Sequence, residues 1–490
     1  MRLMIAVLSS LFLTNGSLAQ RPNIVWIIAD DMSANFSCYG ETSITTPNVD
    51  RLAAKGVKFT NAYVTAPVCS TCRSAFITGM YQTSIGAQHH RSGRGLEKLH
   101  LPERVQLVPE LLQEVGYYTT LSGWPITGNR LGKSDYNFEW DLSVYDGNDW
   151  SKRTSGQPFF AQIMTQGGKL RGDGPDGWRK VADSASNVLG SSTSHEAVHL
   201  PPYYPPHPDI IQDWAAYLDA VRLTDVAVGE VVARLEREGV LNNTLVLFMT
   251  DHGISHARGK QFLYDEGIHI PLVVRGPEIP AGMIRSDLVE HIDIAALTLA
   301  AAGVGVPEWM QARDILASDY VPRQSVFSAR DRCDETVDCI RSTRTSKFKY
   351  IRNFLPQRPY LQPCAYKDSK QILIALRNWH SQGKLDVIQE LLFQETRPPE
   401  ELYNLHIDPF EVHNVAADPD YSDVLASMRR ELAQWMERTS DAGQMPEPVS
   451  MYDSDMAVYL EAIKRRREPA QVQTIKGNIQ LMKQLAAEGK

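Results

Sequence analysis

Beyond its first twenty residues this chain of 490 has no apolar run long enough to cross a bilayer, which excludes a helical membrane span there. Only six cysteines are present, at 38, 69, 72, 333, 339 and 364, too few to staple a disulfide scaffold. Spacing alone leaves open whether Cys333 and Cys339 pair. Basic charge is not in excess: 50 Lys and Arg stand against 58 Asp and Glu, a net charge of −8. That balance disfavours nucleic acid and anionic membrane as partners, and an anionic substrate must be recognised by local Lys and Arg. Internal repeats and low-complexity segments are also missing. What is present is a 43% hydrophobic chain, long enough for one large domain with a smaller companion.

Residues 1–19 form a separate unit. Arg2 precedes an apolar stretch from Met4 to Leu13, and Ser17-Leu18-Ala19 fits a small-x-small cleavage site. The pattern predicts a secretory signal peptide and a mature protein that is secreted or periplasmic.

Two short runs rich in β-branched residues, Asn23–Ala29 and Thr244–Thr250, read as strands buried on both faces of a parallel sheet. Each ends in acids, Asp30-Asp31 after the first and Asp251-His252 after the second. Ligand crevices in open α/β sheets lie at the carboxyl ends of strands, so both clusters are expected at one edge. Three carboxylates and an imidazole there suit a divalent cation, calcium before magnesium because oxygen dominates. Helices are predicted from Thr46 to Gly56, from Arg73, from Pro109 to Gly116 and, longest of all, from Ile211 to Glu238. Strands are predicted over Val57–Val64 and Tyr117–Ser122. The stretch from Gly167 to His207 lacks a sustained period and reads as an irregular wall of the pocket. Alternating strands at Lys347–Arg352 and Glu401–Leu405 and a helix from Tyr421 to Ser440 imply a small α+β unit. The expected division is residues 20–345 for catalysis, 346–450 for the C-terminal unit and 451–490 for a charged helical tail.

Between the acid-bearing strands lies Cys69-Ser-Thr-Cys-Arg73. Cys-x-x-Cys at a helix start is also the pattern of a thiol–disulfide oxidoreductase, but that reading leaves Arg73 and the acids unused.

Cys69-Ser-Thr-Cys-Arg73-Ser-Ala-Phe-Ile-Thr-Gly79 resembles the signature of the formylglycine-dependent sulfatases of the alkaline phosphatase superfamily, Cys-x-Pro-x-Arg followed by a small-residue helix and Thr-Gly. Arg21–Asp31, Thr46–Leu52, the block Thr250-Asp-His-Gly with Arg258-Gly-Lys260 and Tyr264–Gly267, and Glu401–Leu405 with Asp408–Glu411 and Asn414 resemble four further motifs of that family in the same order. The resemblance implies an alkaline-phosphatase-like doubly wound mixed sheet flanked by helices, with a smaller C-terminal α+β domain. It implies that Cys69 is oxidised to formylglycine by a formylglycine-generating or anaerobic maturation enzyme, and that the hydrated aldehyde attacks sulfur. Asp30, Asp31, Cys69, Asp251 and His252 match the metal ligands, and Arg73, Lys133 and Lys260 match the charges that meet the sulfate. Thr71 stands where the signature usually has Pro or Ala, Asp135 replaces the histidine of Gly-Lys-x-His, and Lys169 falls where another histidine is usual. His256 is the substitute candidate for the acid that protonates the leaving oxygen, and His90, Arg91, Asp135, Lys169, Arg332 and Asp334 are the candidate substrate contacts, with His89 beside them.

The expected substrate is a sulfated carbohydrate carrying O-sulfate esters. N-sulfated glucosamine, a phosphodiester or phosphonate, and binding of a glycan without turnover are the alternatives.

Overall fold

The computed structural model describes residues 21–441, 447–465 and 468–490; the candidate signal peptide, residues 1–19, lies outside them. The first apolar run forms β1 (Asn23–Ala29), buried at all seven positions, as a strand covered on both faces should be. It is followed by α1 (Pro47–Ala54), whose Pro47 sits in the first turn where no amide partner is needed, and by β2 (Val57–Tyr63). Next come α2 (Cys69–Thr78), wholly buried, α3 (Val108–Gln113), β3 (Tyr118–Gly123), β4 (Phe159–Thr165), α4 (Arg179–Leu189), the 30-residue α5 (Pro208–Arg237) and β5 (Thr244–Thr250). The first domain closes with α6 (Asp265–Ile268), β6 (His269–Arg275), β7 (Met283–Arg285), β8 (Val289–Glu290) and α7 (Asp293–Ala301).

These strands make an eight-stranded mixed sheet in the order β3-β4-β1-β5-β6-β2-β7, with β8 also on β2. The strands β3, β4, β1 and β5 are parallel, while β6 runs against both β5 and β2. Helices α1, α4 and α5 pack together as one layer, and α2, α3 and α7 as another. Trp26 of β1 shows how the second layer is held: its ring meets Phe76 of α2 edge-on at 5.8 Å, and its Nε1–H donates to Thr298 Oγ1 of α7 at 2.8 Å. The doubly wound mixed sheet expected from the sequence is therefore the core of the molecule.

A second, antiparallel sheet has the order β12-β11-β10-β9 and comprises β9 (Val326–Arg330), β10 (Ile340–Arg344), β11 (Phe348–Asn353) and β12 (Glu400–Asn404). Its first two strands precede residue 346, where the sequence reading begins the C-terminal unit. The reason is compositional: Arg330, Arg341 and Arg344 lie buried in ion pairs, so these strands lack the apolar pattern that marks a core strand. Strand β9 is docked on the first domain, with the Ala329 amide donating to Thr65 O at 2.8 Å and Ser328 Oγ to Val64 O at 2.6 Å. Two short helices, α8 (Ala365–Asp368) and α9 (Gln371–Ser381), lie between β11 and β12. Behind the sheet lies α10 (Ser422–Arg438), whose Trp435 stacks on Phe327 at 5.1 Å. The tail is a pair of contacting helices, α11 (Val449–Lys464) and α12 (Pro469–Ala487), with its own apolar cluster of Tyr452, Met456, Ile475, Ile479 and Met482. One further difference concerns residues 167–207, which contain α4 rather than an irregular wall throughout. Only Val181 and Ala185 bury its face, too short a stripe to show as a period.

Gly167 and Gly168, just past β4, let the backbone lie directly on the Asp30-Asp31 turn. A Cβ on either would overlap the carbonyl oxygen of Asp30 or Asp31, and Gly168 N–H donates to Asp30 O at 2.8 Å. Gly168→Ala is expected to lower stability by about 1–3 kcal/mol through this overlap. Gly477→Ala, inside α12 with open space around it, is expected to raise stability by up to about 1 kcal/mol. Denaturant unfolding of the two variants beside the wild type checks the opposite signs.

Candidate active site

Strands β1 and β5 are paired so that Ala29 lies opposite Thr250, and the residues after each strand emerge side by side. The two turns are laced together. Asp251 N–H donates to Ala29 O at 2.9 Å, Asp31 N–H to Asp251 Oδ1 at 3.0 Å and Met32 N–H to His252 O at 3.1 Å. Asp31 holds a left-handed backbone, φ 54°, a strain of the kind found where side chains must be aimed. Cys69 stands in the first turn of α2, and Arg73 follows one turn later on the same side. The Arg73 guanidinium binds Asp30 and reaches Asp251 Oδ2 at 2.9 Å, so one buried cation bridges the acids of both strands. The close approach of Gly167-Gly168 delivers Lys169, the turn after β5 delivers Lys260, and the loop after β3 delivers Lys133.

Around Cys69 the groups are close. Its Sγ is 3.2 Å from His252 Nε2, 3.2 Å from Lys260 Nζ and 3.5 Å from Lys169 Nζ. Donor atoms of Asp31, Cys69, Asp251 and His252 all lie within 4.8 Å of one another. Asp30 borders this quartet, its oxygens held by Arg73, by Lys169 at 2.6 Å and by Lys133 at 3.2 Å. Burial alone would raise the Asp30 carboxyl, yet Arg73, Lys169 and Lys133 hold it well below the usual carboxylate range. Lys169, Lys260 and His252 do the same for Asp31. Burial likewise opposes ionisation of Cys69, and Lys133, Lys169 and Lys260 overcome it, bringing the thiol down to about 7. For His252, burial is outweighed by Asp251, Cys69 and Asp31, which lift the imidazole to about 10.

The residues fit a divalent cation. Buried carboxylates and one imidazole converge on a single small volume. The donor set does not fit a dithiol redox centre, because Cys72 points away to the Asp251 carbonyl and burial pushes its thiol up.

Other sequence candidates fall into two groups. Lys169, Lys260, Lys133 and Arg73 are brought to Cys69 and its acids, and Asp135 lies 3.4 Å from Lys133. His90, Arg91 and Asp334 form a second small group, with His90 Nε2 and Arg91 Nη1 at 3.7 and 3.8 Å from Asp334 Oδ1. Arg332 joins the second group, its Nη1 donating to His90 O at 3.1 Å and to Asp334 O at 3.2 Å, whereas His256 is presented to neither. The His256 ring stacks on Trp214 of α5 at 4.9 Å and meets Arg171 and, at 3.3 Å, Asp213. Burial and Arg171 pull it down to about 3, which disfavours the imidazolium form. Arg332 also grips Glu447 at 2.6 Å and Asp455 of α11 at 2.8 Å, which ties the tail to this group. His89 is half-buried beside it, its Nδ1 3.4 Å from the Arg332 amide, and desolvation takes it down to about 4. No disulfide joins Cys333 to Cys339.

Sequence reasoning missed Tyr366. Its hydroxyl donates to Asp31 Oδ2 at 2.9 Å, and the Lys260 ammonium lies 4.7 Å from its ring centre. A tyrosine on a helix of four residues carries no local pattern, and only the tertiary fold brings it to the acids.

The sulfatase family profile matches residues 22–304. An ulvan-active sulfatase of Formosa agariphila is 31% identical over 473 residues, covering 89% of this chain and 78% of the relative. The N-sulphoglucosamine sulphohydrolase of Homo sapiens is 25% identical over 481 residues, covering 88% of this chain and 93% of the relative. Among solved structures, a protein in complex with its substrate D-glucosamine-2-N,6-O-disulfate superposes with a TM-score of 0.59 at 18% identity, over 87% of this chain and all of that one, and so shares the fold.

Replacing Arg73 by Met removes the cation that bridges Asp30 and Asp251, an expected loss of about 3–5 kcal/mol. The sign with pH follows from Asp30. Its folded value is depressed, so the pairing stabilises fully above the unfolded carboxylate range near 4 and fades below it. Unfolding at pH 7 and pH 3 should therefore show a large gap between variant and wild type at pH 7 and a smaller one at pH 3.

Proposed function

This chain belongs to the sulfatase family, and on that premise we propose that it removes sulfate from a sulfated carbohydrate, using residue 69 as the nucleophile after its conversion to formylglycine. It is a sulfuric ester hydrolase. The observation that carries the finer reading is the placing of Cys69 between two ammonium groups, Lys260 at 3.2 Å and Lys169 at 3.5 Å, beside three buried carboxylates and an imidazole. A tetrahedral anion attacked at residue 69 meets positive charge where its oxygens become more negative.

Calcium is the cation proposed, with Asp31, Asp251, His252 and residue 69 as its holders and Asp30 at its border. When bound it would draw charge from the ester oxygen and favour the ionised form of an attacking hydroxyl. The rest is done by the chain. Arg73 fixes Asp30 and Asp251 relative to each other. Tyr366 and Lys260 fix Asp31. Asp135 pairs with Arg94 at 2.6 Å and steadies Lys133 from the other side.

Support for a carbohydrate substrate comes from the named activities of the relatives and from a cavity of about 300 Å3 beside Tyr366, where the tyrosine rings of Tyr366 and Tyr459 lie with Arg91 and Asp334. Export to the periplasm or medium, proposed on the leader-like residues 1–19, would bring the enzyme to such glycans, and a maturation enzyme acting on Cys69 is the protein partner.

Sulfate release from a panel of sulfated oligosaccharides, set against phosphodiester and phosphonate esters, tests the reading. Faster turnover of the sulfated sugars is expected, and faster turnover of the phosphorus esters would overturn it. Cys69→Ala should reduce sulfate release to background. Lys260→Met should lower kcat by about 10²–10³-fold. Chelation should abolish activity, with calcium restoring more of it than magnesium.

A further inference from the structure

Two cavities share one wall beside the reaction centre. The larger, about 300 Å3, includes Tyr366, Ser369 and Gln471 in its lining. The smaller, about 260 Å3, includes His90 and Arg94. Arg91, Asp334 and Tyr459 line both. Through Tyr366 and its bond to Asp31 Oδ2, the larger cavity borders the acid cluster.

The shared wall presents buried polar atoms that the fold leaves unmet. His90 is 2% exposed, and neither of its ring nitrogens has a hydrogen-bond partner among the described residues. Oδ1 of Asp334, a side chain 8% exposed, is also without one. The separations of 3.7 Å to His90 Nε2 and 3.8 Å to Arg91 Nη1 are too long for hydrogen bonds. Arg91 Nε lies at a similar 3.8 Å from Asp135 Oδ1, an oxygen that Arg94 already holds at 2.6 Å. Buried groups left in this state call for an explanation, and a bound ligand is one. Both Arg91 and Asp334 hold left-handed backbones, φ 58° and 50°, so the fold keeps them in place at a cost. The Arg91 amide donates to Ser70 Oγ at 2.8 Å, which ties this wall to the residue next to Cys69.

The donor and acceptor types decide what fits. A sulfate or carboxylate only accepts hydrogen bonds; it would satisfy Arg91 and be set against the charges of Asp334 and Asp135. A hydroxyl both donates and accepts. It can give its proton to Asp334 Oδ1 and take one from Arg91 or from His90, so it meets the carboxylate oxygen and a neighbouring donor together. We propose that Arg91, His90 and Asp334 form a subsite that reads a free hydroxyl on the sugar carrying the cleaved sulfate ester, with Tyr459 of α11 as its far wall. The same subsite discriminates against sugars bearing a second sulfate or a carboxylate at that position. This deepens the sulfatase reading and rests on it.

Kinetics with monosulfated hexoses, their monodeoxy analogues and the corresponding disulfated hexoses test the subsite. For wild-type enzyme, one monodeoxy analogue of the best monosulfated substrate should lose about 10- to 100-fold in kcat/KM, the worth of a hydrogen bond to a charged group. Its disulfated counterpart at that hydroxyl should fall by a similar factor. In Asp334→Asn and in Arg91→Gln the parent-to-deoxy ratio should shrink towards one. That ratio is internal to each variant, so a partly unfolded preparation does not distort it, and if neither variant folds the wild-type deoxy series decides alone. Deoxy analogues all as good as their parents, or a ratio unchanged in both variants, would overturn the subsite. So would a disulfated hexose preferred by wild type and no longer preferred by Arg91→Gln, which would make Arg91 a reader of anions. Failure of wild type to cleave any sulfate ester would overturn the sulfatase reading itself, and is separable from the other outcomes.

Discussion

Asp30, Asp31 and Asp251 take three carboxylates out of water at the adjoining ends of β1 and β5, and much of the first domain is arranged to make that tolerable. Isolated, such charges would cost far more than the fold could bear. Arg73 reaches them from α2, Lys169 from the turn after β4, Lys260 from the loop after β5 and Lys133 from the loop after β3. Each cation comes from a different segment, so the acids act as the point on which separate parts of the chain converge. The same charges that make the cluster stable also define its chemistry, because Cys69 lies within hydrogen-bonding reach of Lys169, Lys260 and the imidazole.

The small sheet and the tail extend this arrangement outward. Tyr366 brings a hydroxyl from beyond β11 back to Asp31. Arg332 and Arg341, both fully buried, fasten the segment around β9 and β10 to carboxylates at 441, 447 and 455, and so hold the C-terminal helices against the cleft. The reaction centre thus belongs to the first domain, while the cavity wall next to it is shared with α11 and α12. A division of labour follows, in which the sheet edge fixes the chemistry and the C-terminal helices shape what can reach it.

Legibility in the sequence followed the physics of each part. The strands β1 and β5 were readable because burial on both faces demands continuous apolar runs, and their acids were readable because the chain order puts them straight after those runs. Helix α5 was readable from its long apolar stripe. Strands β9 and β10 were not, because their burial is achieved with paired arginines. Helix α4 was hidden by a stripe of only two small residues. His256 shows the other limit: it lies four residues from His252 in sequence, but Trp214 claims its ring and turns it away from Cys69. Proximity along a loop says nothing about direction. Tyr366, Tyr459 and the unmet atoms of His90 and Asp334 depend on contacts between segments hundreds of residues apart, which only the fold supplies.

The account turns on residue 69 being the nucleophile in its oxidised form. The most direct measurement is the mass of the tryptic peptide spanning residues 59–73, isolated from protein that has been shown to release sulfate. The account predicts the mass deficit of a thiol converted to an aldehyde, relative to the encoded cysteine. An unmodified Cys69 thiol throughout an active preparation would contradict it.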